Sequence, residues 1–215
     1  VQIRTRLQHD WATALEIVDL FTGQSLKLSH GEELWKDFFY AVSAQFAVME
    51  RIHFFDQMTP QEKLRAYKDE LQKGSTDKET FYLARSLAKK LDVVKKFEAY
   101  AQSLKVVDSH LEDSEIDGYV LLEVNTEERT VTAKIFKKDQ SRDAEIAYIA
   151  SEKNASKGKK LVVALVSASA VGGIKDAYPN YFADSEEFLE HLLIIMKAEL
   201  KGSLLTWFLS IGRGT

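Results

Sequence analysis

The 215-residue sequence predicts an α+β fold, helical through its first half and mixed beyond Gly118. Three observations carry this. Apolar residues recur at helical spacing from Leu7 to Leu104. An acidic, turn-rich segment, Glu112-Asp113-Ser114-Glu115-Ile116-Asp117-Gly118, then interrupts the pattern. Beyond it the period shortens to two, and strand-like runs alternate with helical ones in the order ββαβα. The expected organisation is a first unit over 1–112, a small α/β domain over 113–201 and a tail over 202–215.

Val1, Ile3 and Thr5 alternate with Gln2 and Arg4, which predicts an opening strand with one apolar face and one face carrying an amide and a guanidinium. On pattern alone that polar face reads as the solvated side of an edge strand. Leu7, Trp11, Leu15 and Val18 then repeat at helical spacing, with Trp11 as the core anchor. His9, Thr13 and Glu16 fall on another side, so polar groups of strand and helix could meet in one cleft. Gly23 and the polar run Gln24 to Gly31 end this helix. The next runs from about Glu32 to Phe55, with Leu34, Phe38, Val42, Phe46, Met49 and Ile52 as its stripe.

Thr59-Pro60-Gln61-Glu62 starts a third helix with a cap, a proline at the first helical position and a glutamate that can return a hydrogen bond to the cap. Gly74 closes it. Ser75 to Leu91 and Asp92 to about Leu111 read as two more helices. After the acidic segment, Tyr119 to Val124 and Thr130 to Phe136 form a hairpin, Ser141 to Asn154 a helix and Lys160 to Ser167 a buried strand. Asp184 or Ser185 caps a last helix that turns Phe188, Leu192, Ile195 and Met196 to the sheet.

The net charge of -4 argues against a broad nucleic-acid footprint. The lysine pairs, such as Lys89-Lys90 and Lys137-Lys138, read as solvated surface. Without cysteine there is neither a disulfide nor a thiolate metal site, and five scattered histidines lack metal-ligand spacing, so no structural metal is expected. No apolar run reaches the roughly 20 residues that span a bilayer, and no secretory leader is visible, so a cytoplasmic protein without a membrane partner is expected.

Gln2-Ile3-Arg4-Thr5, followed at once by Gln8-His9-Asp10-Trp11-Ala12, resembles the signature segment of the RelA/SpoT synthetase family, which reads Glu-x-Gln-x-Arg-Thr before a helix often carrying Trp-Ala. The resemblance implies the C-terminal part of a mixed-sheet, nucleotidyltransferase-like synthetase domain. It implies a GTP pyrophosphokinase-like transferase of (p)ppGpp metabolism, moving pyrophosphate from ATP to the ribose 3′-hydroxyl of GDP or GTP. Arg4 would be catalytic, Gln2, Arg4 and His9 nucleotide-binding, and Mg2+ the cofactor. The signature glutamate and the magnesium ligands would precede Val1, so this chain alone is expected to be inactive. Tyr178-Pro179-Asn180-Tyr181 is similar to the Tyr-x-x-Tyr motif of fused toxin–antitoxin members, which modify the 3′ end of tRNA. By that resemblance Tyr178 and Tyr181 would make an autoinhibitory contact; as a plain proline turn they would pack their own domain. A degenerate binding module that has lost catalysis is the reading outside the enzyme class.

Overall fold

Helices α1 (Arg6–Thr22), α2 (Glu33–Glu50), α3 (Pro60–Leu71) and α4 (Ser75–Lys90) are followed by a helical segment over 93–101, α5. Then come β1 (Gly118–Asn125), β2 (Thr130–Lys137), α6 (Ser141–Ala155), β3 (Leu161–Ser167) and α7 (Tyr181–Lys197). The structure, a computed structural model, describes residues 3–22, 26, 31–101, 118–125, 130–155, 161–167 and 181–200. The acidic connector before Gly118, Tyr178, Lys160 and the tail lie outside the described residues. Among the described residues no helix is long and apolar enough to cross a membrane.

The molecule is α+β and mostly helical, with a small three-stranded antiparallel sheet, in the order β2-β1-β3, among the described residues. The expected ββαβα order is present from Gly118 onward. β1 is central and pairs with β2 over Gly118 to Asn125 and with β3 over Tyr119 to Asn125, Leu122 opposite Ala133 on one side and Ala164 on the other. Both faces of β1 are covered, as its nearly continuous run of apolar residues requires. Leu121, Phe136 and Val163 pack beneath α6 around Ala144. Val120, Leu122, Ala164 and Val166 face the helices, in one buried cluster with Phe46, Phe97, Phe188 and Leu192. Phe188 of α7 is the hub, its ring 5.0 Å from Phe97 and 5.8 Å from Phe46.

Gly118 opens β1 where the strands touch, since a Cβ there would lie 2.0 Å from the carbonyl oxygen of Phe136. The start of α3 matches expectation: Thr59 accepts from the Glu62 amide at 3.4 Å, and Glu62 accepts from the Thr59 amide at 2.9 Å. The fully buried Gln45 ties α2 to α3 and α4. Its amide donates to Asp77 O at 3.0 Å and Thr80 Oγ1 at 2.6 Å, and it accepts from the Tyr67 hydroxyl at 2.6 Å. Burial pushes the Tyr67 phenol well up. Arg85 of α4 donates to the carbonyls of Ile195 and Ala198, satisfying groups left open at the end of α7.

Three expectations are corrected. Ile3, Arg4 and Thr5 are irregular chain rather than strand, because they join no ladder and Thr5 is instead committed to starting α1. α2 stops at Glu50 instead of Phe55. There Phe54 takes a left-handed conformation, φ 56°, which reverses the chain and drops Phe55 into the core. α7 begins at Tyr181, so neither Asp184 nor Ser185 is its cap.

Candidate functional site

Thr5 and Gln8 hold the chain where the sequence places chemistry. The Gln8 amide donates to Thr5 Oγ1 at 3.2 Å, and the Thr5 amide donates to Gln8 Oε1 at 3.4 Å, a reciprocal cap on the first turn of α1. The Thr5 hydroxyl also donates to Glu50 at the end of α2. These bonds fix the segment carrying Arg4 across the mouth of a groove between α1 and α2, with a volume of about 690 Å3.

The floor of the groove is apolar: Leu7, Trp11 and Leu15 from α1 meet Phe46 and Ala47 from α2. Trp11 is held edge-on to Phe39, centroids 5.8 Å apart, and its indole N–H donates to the Phe39 carbonyl at 3.0 Å. The rim is polar, with Arg4, Gln8, Ser43, Glu16 and Glu50. One guanidinium beside two carboxylates gives this lining no net positive charge.

Of the residues singled out from sequence, Arg4 lines the groove, and so does Glu16. His9 is half-buried and does not line it, and Thr13 is fully buried on the opposite side of α1, so these two do not join Glu16 in a cleft. Gln2 and Tyr178 lie outside the described residues. Tyr181 is the first residue of α7. Among the described residues no group of three or more His, Asp or Glu side chains is arranged to hold a metal ion.

A second polar cluster was not anticipated. On the face of α1 turned away from the groove, Asp10 is fully buried and its Oδ2 lies 3.5 Å from Nδ1 of His191 on α7. Phe46 and Phe55 enclose the imidazole, with ring centroids 5.7 Å and 6.0 Å away, and Thr13 is buried one turn further on. At the surface above, Arg6 grips the Glu187 carboxylate through two nitrogens, which together with the charges of Asp10 and Asp56 holds the guanidinium above its ordinary value. Each half had a signal in the sequence. Asp10 precedes Ala14, Ile17 and Phe21 on one stripe, and His191 lies between Phe188 and Ile195 on another. What the sequence could not supply is that the two stripes face each other. The pair is sealed from solvent, so it joins two helices and does not itself meet a substrate.

No protein-family model matches the chain, and no curated protein matches it in sequence.

Proposed function

We propose that this chain is part of a RelA/SpoT-type pyrophosphokinase and that the α1–α2 groove is one wall of its nucleotide site. In the reaction, the 3′-hydroxyl of GDP or GTP gives up its proton to solvent as its oxygen bonds to the β-phosphorus of ATP, the bond from that phosphorus to the α,β-bridging oxygen breaks, and AMP leaves with the bonding electron pair. The observation that supports this reading is the placement of Arg4, which the signature resemblance makes catalytic, in the lining of the α1–α2 groove. A guanidinium there can take up charge developing on phosphoryl oxygens. Leu7, Trp11 and Phe46 offer an apolar floor for a base, and Glu16 or Glu50 can accept a hydrogen bond from a sugar hydroxyl. With two carboxylates on the rim, this wall cannot neutralise a triphosphate by itself. Among the described residues no group of three or more His, Asp or Glu side chains is arranged to hold magnesium. On this reading β1 to α7 form a regulatory or interaction unit, anchored to the back of the groove helix through Asp10–His191 and Arg6–Glu187.

The test is transfer of labelled pyrophosphate from ATP by the protein carrying this chain, with GDP, GTP and tRNA as acceptors in parallel. Arg4→Ala is expected to slow transfer at least about tenfold, the effect of roughly 1.4 kcal/mol of lost transition-state stabilisation, with an unchanged melting curve. Equal transfer by Arg4→Ala and wild type removes Arg4 from the site. Transfer to tRNA alone replaces the acceptor proposed here with the tRNA 3′ end.

A further inference from the structure

β2 is at the edge of the sheet, paired only with β1 among the described residues, and is exposed along most of its length. α6 packs on the sheet through Ala144, Ala147 and Tyr148. Its opposite face carries Ile146 and Ile149, 59% and 57% exposed. Arg142, Ile146, Ile149 and Lys153 follow one another at spacings of four, three and four, and therefore form one outward stripe. α6 is thus apolar on two sides and uses one of them. Between α6 and β2 lies a cleft of about 480 Å3, walled by Ile135, Phe136, Ile146, Ala147 and Ala150. Ile135 is itself 44% exposed.

Basic side chains outnumber acidic ones along this edge, where Lys134, Lys137, Lys138 and Arg142 stand with Asp139 and Asp143, and Asp143 lines the cleft with Lys134. Lys134, Lys137 and Lys138 fall within five residues, in a chain whose net charge is -4. Lys134 also lines the cleft, its ammonium 5.0 Å from the Phe136 ring centre. Lysines on an edge strand disfavour pairing with a second copy, since antiparallel association over this stretch brings like charges together. The same lysines favour an acidic strand. An added strand places alternate side chains over the cleft, where apolar residues fit and which Lys134 also lines, and the others on the opposite face of the sheet beside Lys137.

We propose that β2 and the neighbouring α6 cleft form a docking site for an extended segment of a partner protein that alternates acidic and apolar residues and adds to the sheet as a fourth strand. The probe is the synthetic peptide Glu-Val-Glu-Ile-Glu-Val-Glu-Val, labelled with fluorescein, with Lys-Val-Lys-Ile-Lys-Val-Lys-Val as its basic counterpart. Anisotropy with the intact chain is expected to show saturable binding of the acidic peptide and at least tenfold weaker binding of the basic one. Hydrogen exchange should slow at the β2 amides that point away from β1. The exposed-site double variant Ile146→Glu with Ile149→Glu, and separately Lys134→Glu, should each weaken the acidic peptide at least tenfold while circular dichroism and melting stay as in wild type. Absence of saturable binding, equal binding of both peptides, or binding without protection of β2 overturns the proposal. So does a concentration-dependent dimer that Ile146→Glu with Ile149→Glu dissolves, which makes a second copy the occupant, or binding to phosphatidylserine vesicles in place of the peptide.

Discussion

Truncating Asp10 to alanine tests how α7 is held on α1. The carboxylate is fully buried 3.5 Å from the imidazole of His191, which is 3% exposed and enclosed by Phe46 and Phe55. Removing one partner of such a pair strands the other in an apolar surround, a cost of about 3–5 kcal/mol. For a chain of this size each kcal/mol lowers the melting temperature by roughly 2–4 °C, so Asp10→Ala should melt roughly 6–20 °C below wild type. Replacing both groups by apolar ones, Asp10→Val with His191→Leu, removes the desolvation cost along with the attraction and should recover all but about 1 kcal/mol. Urea unfolding of wild type, Asp10→Val, His191→Leu and the double variant closes the cycle. A loss below about 1 kcal/mol in Asp10→Ala with an unchanged m-value refutes the reasoning, as does a double variant no more stable than the worse single one.

Gly118→Ala puts a Cβ against the Phe136 carbonyl and should cost about 1–3 kcal/mol in urea unfolding, with exchange at β1 and β2 amides speeding up first. The carboxyl of Glu62 is held below its ordinary value of 4.5 by the Thr59 hydroxyl and then by the Thr59 amide. A depressed carboxylate stabilises above its unfolded value and loses that contribution as pH falls through the folded one. The acid limb of stability between pH 5 and about 3 should therefore be shallower in Glu62→Gln than in wild type, measured by urea midpoints. Burial, followed by the neighbouring Glu152, pushes the Tyr148 phenol up to about 12, so its ultraviolet titration should trail that of an ordinary tyrosine and return toward about 10 when the fold is unfolded in urea.

Local chemistry in the sequence was enough for several elements. The Thr59-Pro60-Gln61-Glu62 start needs only neighbours to form, and the alternation in β1, β2 and β3 carries its own period. Misreadings arose where two local rules competed. Thr5 completes the alternation of Val1 and Ile3, yet it also stands three residues before Gln8, and the cap prevails because the segment has no described strand to pair with. The apolar stripe of α2 continues through Ile52 to Phe55, but the reversal at Phe54 delivers Phe55 to the core by a turn. The sequence predicts one apolar face for α1, whereas it is covered by α2 on one side and α7 on another, so Asp10 and Thr13 are buried although both are polar. The Asp10–His191 pair joins residues far apart in the chain, and no short-range pattern specifies that contact.

The α1–α2 groove is proposed to receive a nucleotide. The most direct test is the two-dimensional nitrogen–proton spectrum of the isotope-labelled protein during titration with ATP and then GDP. The chain has three tryptophans, so the Trp11 indole signal can be assigned by a single Trp11→Phe variant. This indole signal and the amides of Arg4, Gln8 and Ser43 are expected to move together and saturate at the same ligand concentration, and Arg4→Ala is expected to weaken the response at least about tenfold for the more tightly bound nucleotide. Saturable shifts confined to other residues, or a spectrum unchanged by either nucleotide, contradict this reading.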